Sequence, residues 1–415
     1  MAYMHEDDDF DVEKDPRQFA PNLEPRLGYV VDDASVTSPV VAQDIFDLQQ
    51  MGMQVEVFSI GKAPRGHALD LRILSGSFSG GREINSSTPI HGTAPALGMN
   101  PRETVRLHAQ AAQLAAIGQL ERFTHFHAAD STDTAIVCNL AARLTGIPFS
   151  FSTGLGRDST SFGIHSGSQL IGESAFLISR SETDAYFLKQ IAPESAGKIR
   201  RLYDAVDLEA LKPGPDRWSR MPNFVAIGPL VEEHRFADLV EAIYLLKRMG
   251  VAANATVFGD GALKTRLKQQ IAQRGIGDRV AVWQVGDTQY VREFVSQQAT
   301  AVVMPGVSAV EPFPGVLLEA MAMGVPVLSS RSSVCHEFIE EGRSGFVLPP
   351  DDPVELATKC LMFAKNPNLS AQMGQEARRR AELLFDRRTR MAQLHQWFRD
   401  ASDAYLEHQR HWMTF

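Results

Sequence analysis

Residues 311–326, EPFPGVLLEAMAMGVP, are the stretch from which the fold and the site can be predicted. They follow the apolar run Ala301–Met304, which predicts a short buried strand. Two prolines then stiffen a loop before a helix, and Gly324, followed by a further proline, predicts the end of that helix. Glu311 lies in the loop and Glu319 about a turn and a half into the helix. Two carboxylates therefore flank a helix N-terminus, whose amides and dipole form an anion site.

Outward from this stretch, short apolar runs alternate with amphipathic segments along the chain. Strands are predicted at residues 27–31, 53–60, 123–128, 147–152 and 176–179, and again at 224–228, 255–258, 280–283, 301–304 and 325–329. Ser181 and Asp184 form a capping pattern at the start of one intervening helix, and Ser38 with Pro39 opens another. This alternation predicts an α/β fold with a doubly wound parallel sheet in each of two Rossmann-like domains. Ligands of such sheets bind at the carboxyl ends of the strands, which would face a central cleft.

The length of 415 residues exceeds what one ordinary hydrophobic core accommodates, so two domains are expected. Residues 1–24 are predicted to be a disordered acidic tail, because they offer little to bury. The first domain is assigned to residues 25–208 and the second to residues 223–385. A linker rich in proline and polar residues occupies positions 209–222 between them. The last segment, 386–415, is predicted to be a helix that packs back on the first domain.

Charge and composition exclude several classes of protein. Of the net charge of −9, the segment 1–24 supplies −6, from eight acids and two bases, so the remaining chain is near neutral. A near-neutral surface gives no indication of nucleic-acid binding. No apolar run reaches the roughly 18 residues that a membrane span needs, and the start of the chain lacks the features of a signal peptide. Cys138, Cys335 and Cys360 have no metal-ligand spacing, which indicates free thiols in a cytoplasmic protein.

The pair Glu311 and Glu319, in an E-x7-E pattern, resembles the donor site of family-4 retaining glycosyltransferases. Further stretches resemble the same family: KIRRLYDAVDL, VFGDGALKTRLK, DRVAVWQVG and HEFIEEGRSGFVLPPDDPVELA. The resemblance covers residues 26–385, and its N-terminal part is similar to the exopolysaccharide, or colanic-acid, branch. It implies the GT-B fold, a UDP- or GDP-linked sugar donor, and a saccharide or lipid-linked acceptor. It also implies transfer with retention in cell-envelope or exopolysaccharide biosynthesis, no required metal or cofactor, and at most transient contact with the inner membrane.

The resemblance implies a role for each matching residue. Glu311, as the catalytic residue, would hydrogen-bond sugar hydroxyls beside the reacting carbon, and Glu319 would hold the ribose hydroxyls. The other implied donor contacts are backbone amides of Phe313, Gly315 and Val316 at the sugar or diphosphate, and Gln284 and Val285 beside the base. On the acceptor side of the cleft the candidates are Ser38 and His127, with a hydrogen-bonded packing role as the alternative for His127.

Two positions depart from the family where its members pair cations with the donor diphosphate. In the stretch GPLVEEHRF, Pro229 stands in place of an arginine and His234 in place of a lysine. Arg235 and Arg157 are the candidate substitutes. Each lost charge-assisted hydrogen bond would be worth about 1.5–3 kcal/mol. Two hypotheses follow: an active transferase that uses other cations, or a catalytically inactive GT-B homologue that acts as a binding or partner subunit.

Overall fold

A computed structural model describes residues 25–33, 38–61, 70–75, 101–129, 132–153, 164–214, 221–307, 314–332 and 334–413. The strands are β1 (Arg26–Val31), β2 (Gln54–Ser59), β3 (Leu71–Ile73), β4 (His125–Ala128), β5 (Phe149–Thr153), β6 (Phe176–Ser179), β7 (Ile199–Arg201), β8 (Asn223–Ile227), β9 (Asn254–Phe258), β10 (Val280–Trp283), β11 (Ala301–Met304), β12 (Val327–Ser330) and β13 (Gly345–Leu348). They form a sheet in the order β3-β2-β1-β4-β5-β6-β7 and a second sheet in the order β10-β9-β8-β11-β12-β13. The pairings between the described strands are parallel throughout, which confirms the predicted α/β organisation with two parallel sheets.

Helices connect the strands in both domains. In the first domain they are α1 (Pro39–Gln50), α2 (Pro101–Leu120), α3 (Thr132–Thr145), α4 (Ile164–Glu173) and α5 (Glu182–Ile191). In the second domain they are α6 (Phe236–Arg248), α7 (Lys264–Gln273), α8 (Thr288–Gln298), α9 (Gly315–Ala322), α10 (Cys335–Phe338), α11 (Pro353–Lys365) and α12 (Pro367–Leu384). The C-terminal helix is α13 (Arg387–Met413). Because helices cover both faces of a parallel sheet, its central strands are buried along their whole length, as in β4, β5, β11 and β12, although β4, β5 and β12 also carry polar side chains.

Helix α13 returns from the second domain and packs on the first sheet. Phe398 on α13 is buried against Phe176, with 5.7 Å between ring centroids. The Arg390 guanidinium forms a buried, two-pronged ion pair with Asp44 on α1, of which one bond, Nη2 to Oδ2, is 2.9 Å long. A buried ion pair with this geometry fixes where the helix crosses, because displacing it would leave two unpaired charges.

The sequence pattern missed three short strands. β3, β7 and β13 have only three or four residues each and carry charged or glycine residues that break the apolar run. All three are at or near sheet edges, where one neighbour strand is enough to hold them. Their pairing is therefore decided by the neighbouring strand rather than by their own sequence.

Candidate functional site

The predicted anion-binding helix is α9, which starts at Gly315 directly after Pro314 in an extended conformation. Gly324 follows the helix with a left-handed φ of 67°, and its amide donates to the carbonyl of Met321, which confirms the predicted helix stop. Because the first amides of any α-helix lack acceptors within the helix, this end stabilises a negative charge. Gly315 and Val316 form the first turn, as predicted, whereas residues 308–313, with Glu311 and Phe313, lie outside the described part of the chain.

Glu319 lies on the second turn of α9, where it is held by an arginine that the sequence did not indicate. The Arg292 guanidinium on α8 donates from Nε to Glu319 Oε2 at 3.0 Å and from Nη2 to Oε1 at 2.6 Å. The two side chains are 37% and 26% exposed, so the pair borders solvent. The carboxylate also raises the pKa of Arg292 through this hydrogen bond and its charge. A two-pronged ion pair fixes the orientation of Glu319 while leaving lone pairs on both oxygens for a ligand.

The end of β10 presents an aromatic surface next to the predicted base contacts. Gln284 and Val285 follow this strand, and both are exposed. Trp283 is 47% exposed and stacks on Tyr290 of α8, with ring centroids 6.5 Å apart and an interplanar angle of 18°. Tyr290 and Arg292 lie on the same helix, so α8 connects this surface to Glu319. The sequence signal for it was a tryptophan at the carboxyl end of an edge strand, which a purely apolar interpretation of the run overlooks.

The cation that was predicted to replace the missing pair is already engaged by carboxylates. Arg235 donates from Nε and Nη2 to Asp238, at 2.8 and 3.3 Å, and its Nη1 is paired with Asp351. These bonds raise the pKa of Arg235, the contact with Asp238 most of all. The neighbouring His234 donates from Nδ1 to the carbonyl of Pro229 at 2.9 Å. Neither side chain is therefore directed by its contacts towards a diphosphate, and Arg157, the other candidate, lies outside the described residues.

Gly306 explains how closely the loop after β11 approaches this turn. A Cβ atom at Gly306 would lie 2.0 Å from the carbonyl oxygen of Glu233 and 2.8 Å from Cγ of Arg235. The Gly306 amide donates to the carbonyl of His234 at 3.1 Å. Only glycine fits in this contact, so the loop that continues to Glu311 begins in van der Waals contact with residues 233–235.

The structure corrects the expectation that His127 lines the acceptor side of the cleft. Its ring is only 1% exposed and lies beneath Phe398 of α13, with 5.0 Å between centroids. Its Nδ1 and Nε2 are hydrogen-bonded to the hydroxyls of Ser150, at 2.8 Å, and Ser152, at 3.1 Å. Burial lowers the pKa of His127 well below its usual value, so the imidazole is neutral. The alternative of a packing role describes this residue.

Ser38, the other acceptor-side candidate, caps helix α1. Its hydroxyl accepts from the amide of Val41 at 3.5 Å, and Pro39 occupies the first helical position. The capping prediction is confirmed, and the side chain is half-buried. Among the described residues no group of three or more His, Cys, Asp or Glu side chains is arranged to hold a metal ion. In the same part of the chain, no helix combines the length and the apolar character that crossing a membrane requires.

Comparison with known proteins finds a family match for the second domain. Residues 217–380 match the family model described as glycosyl transferases group 1. Two relatives are each 28% identical: the putative colanic acid biosynthesis glycosyltransferase WcaL of Escherichia coli over 165 residues, and the amylovoran biosynthesis glycosyltransferase AmsK of Erwinia amylovora over 174 residues. These alignments cover 39% and 41% of this chain and 40% and 42% of the relatives, so they span less than half of either protein.

The fold itself has close counterparts among solved structures. The crystal structure of HepE from Anabaena in complex with UDP superimposes with a TM-score of 0.70 at 15% identity, covering 89% of this chain and 98% of that one. At this identity the likeness concerns the fold alone, which is GT-B.

Proposed function

We propose that this chain, whose residues 217–380 form a glycosyl transferases group 1 domain on a GT-B fold, is a hexosyltransferase. It would move a sugar, with retention, from a nucleotide-sugar to a saccharide or lipid-linked acceptor. The observation that supports this best is Glu319, an oriented carboxylate on the second turn of α9, close to the helix end that stabilises anions. The exposed ring of Trp283, which stacks on Tyr290 of α8, supplies an aromatic surface for the base.

Each of these residues would contact a different part of the nucleotide-sugar donor. Glu319 would accept hydrogen bonds from the ribose hydroxyls, and the amides at the start of α9, with Phe313, would face the sugar and diphosphate. Negative charge develops on the leaving diphosphate as the anomeric bond breaks, and fixed amide dipoles at the helix start stabilise it without reorganising. Glu311 would lie beside the anomeric carbon, where positive character develops. This arrangement needs no metal, because backbone dipoles take the place of a cation.

The names of the relatives suggest a class of acceptor, and the cysteines suggest a cellular compartment. The names of two of them refer to the biosynthesis of the exopolysaccharides colanic acid and amylovoran, so we propose a growing saccharide or lipid-linked saccharide as acceptor. The three cysteines are free and buried, as expected of a protein from a reducing compartment. We place the protein in the cytoplasm, with at most transient contact with the inner membrane.

Titration calorimetry with UDP and with GDP tests the donor site. We expect one of them to bind at micromolar or tighter affinity and the binding to be lost in Glu319→Ala. Glu293→Ala is the matched control, because Glu293 is an exposed glutamate next to Arg292. The Glu293 carboxylate accepts a hydrogen bond from the side chain of Gln289 at 3.1 Å. Release of the nucleotide from a panel of UDP- and GDP-sugars then measures turnover. Binding that survives Glu319→Ala would show that the nucleotide lies elsewhere.

A specific observation also favours the second candidate, a catalytically inactive partner subunit. The three guanidinium nitrogens of Arg235 are bonded to Asp238 and Asp351, and His234 donates to the carbonyl of Pro229, so this turn supplies no cation to a diphosphate. An inactive homologue would keep the fold and bind no nucleotide. Folded protein that binds neither UDP nor GDP in the same titration would therefore support the partner role.

A further inference from the structure

A carboxylate of the second domain is bonded to the start of a helix in the first domain. Glu337 lies on α10, and its Oε2 accepts from the backbone amide of Glu182 at 2.6 Å. Its Oε1 accepts from the amide of Thr183 at 2.8 Å and from the Thr183 hydroxyl at 2.6 Å. Both partners belong to the first turn of α5, which follows β6 in the first sheet.

These bonds complete the cap of α5, which its own sequence can satisfy only in part. The Ser181 hydroxyl accepts from the amide of Asp184 at 3.0 Å, as the capping pattern predicted. The first helical bond, from Ala185 to the Ser181 carbonyl, follows directly. The amides at positions 182 and 183 lie before that bond, and a helix offers them no internal acceptor. Their acceptor is Glu337, some 150 residues later in the chain.

The same carboxylate also reaches the segment that joins the domains. The Tyr203 hydroxyl, just past β7, donates to Glu337 Oε2 at 3.0 Å, which brings the donors on this carboxylate to four. Four donors match the lone-pair sites of a carboxylate, and Glu337 is only 8% exposed. The Tyr203 ring packs on Phe338 and Phe385, at 5.3 and 5.8 Å between centroids. A buried carboxylate whose four acceptor sites are all occupied has one favourable position, because any displacement would leave several donors without hydrogen-bond partners.

The position of α10 is fixed from the second domain. Arg380 on α12 donates from Nε to the Phe338 carbonyl at 2.7 Å and also bonds the Glu337 carbonyl. Close by, the chain crosses between the domains twice, and Val206 and Asp386 form a bridge between the two crossings. Glu337 is thus held in place by the second domain and lies beside the two chain crossings, about which the domains would rotate.

We propose that Glu337 is a positioning residue that fixes the orientation of the two domains through the start of α5, and so sets the width of the cleft between their sheets. The orientation itself does not depend on any ligand. The consequence for transfer rests on the proposed function, because donor residues lie in the second domain and the acceptor would be presented by the first. Without Glu337, donor binding would persist while the two substrates would meet in the wrong geometry.

A pair of spin labels measures the orientation in the full chain. The native cysteines are buried, so labels can be directed to Val105→Cys on α2 and Val354→Cys on α11, which are 65% and 63% exposed and lie one in each domain. We expect a single narrow distance distribution for the parent protein and a broader, shifted distribution for Glu337→Ala. The matched control is Glu376→Ala, whose ion pair with Arg379, at 2.9 Å, lies within the second domain and should leave the distribution unchanged.

Two further variants keep the test decisive if Glu337→Ala folds poorly. Tyr203→Phe and Thr183→Val each remove one hydroxyl donor and leave the carboxylate in place, so each should broaden the distribution to a smaller extent. Unchanged distributions in the folded variants would overturn the proposal, whether or not the protein transfers sugar. If it does, nucleotide affinity should stay within about twofold of the parent in Glu337→Ala while the transfer rate falls about tenfold or more, because misplacement of about 1 Å is that costly.

Discussion

Removing the charge of Glu319 should weaken nucleotide binding by an amount that its geometry sets. In Glu319→Gln one of the two oxygens that would accept from the ribose becomes an amide donor. A hydrogen bond to a charged group is worth about 1.5–3 kcal/mol, and 1.4 kcal/mol is a factor of ten. The side chain is 26% exposed, so water replaces part of what is lost. We therefore expect UDP to bind about 20-fold more weakly.

Removing the partner should have a smaller effect of a different kind. Arg292→Met keeps the carboxylate but deletes the bonds of 2.6 and 3.0 Å that orient it. Restricting a free glutamate side chain costs up to about 2 kcal/mol, and partial exposure means that Arg292 prevents only part of this cost. We expect UDP affinity to fall about fivefold. Unfolding free energy should change by less than about 1 kcal/mol, because the pair borders solvent.

Calorimetry on the parent, the two single variants and the double variant separates these effects. If Arg292 acts by holding Glu319, Arg292→Met causes no further loss once Glu319→Gln is present. Losses that add would refute this reasoning, since they would mean that Arg292 contacts the nucleotide on its own. Glu293→Gln, on the same helix, should bind UDP as the parent does.

Trp283→Ala should weaken UDP binding about tenfold, because base stacking on an aromatic ring is worth about 1–3 kcal/mol; equal affinities in calorimetry would exclude the stacking role. UDP should bind less than about tenfold more tightly than UMP, since the charge-assisted bonds of about 1.5–3 kcal/mol expected from two cations are missing, and a larger ratio would point to an unrecognised cation. Arg235→Gly relieves a left-handed φ of 51° but breaks the ion pairs with Asp238 and Asp351, so thermal unfolding should show a small net loss of stability, and UDP affinity should not change. Burial lowers the pKa of His125 to about 3, so unfolding takes up a proton below about pH 6.5 and stability falls as the pH drops. Between pH 7 and 5.5, the unfolding free energy of His125→Asn, measured by urea denaturation, should fall by about 1.2 kcal/mol less than that of the parent. Identical decreases in the two proteins would contradict the buried neutral imidazole.

The arrangement of two parallel sheets was predictable because short, mostly apolar runs alternate with amphipathic segments along the chain. The strands at residues 301–304 and 325–329 could be predicted from their own sequences, since a short apolar run indicates a strand that is buried on both faces. The stop of α9 at Gly324 was equally local, because a left-handed residue after a helix favours glycine. Signals of this kind act over a few residues, and the sequence contains them completely.

The role of His127 was not predictable, because it depends on a helix that lies far along the chain. Alternation within β4 places this ring on one face of the sheet, but it cannot show whether that face is covered. The cover is Phe398, about 270 residues later. The partner of Glu319 escaped prediction for the same reason, since an arginine on an exposed helix has no mark that distinguishes Arg292 from its neighbours.

The turn after β8 shows what the residues at the positions of the missing cations do instead. Pro229 and His234 bond to each other, Arg235 is held by two carboxylates, and Gly306 packs against the backbone of residues 233–235. This turn therefore contacts the start of the loop after β11, at Gly306. In the proposed donor site, the amides of α9 would balance the charge of the diphosphate. Because these amides act only at short range, correct placement of α9 would matter more here than in a site with mobile cations.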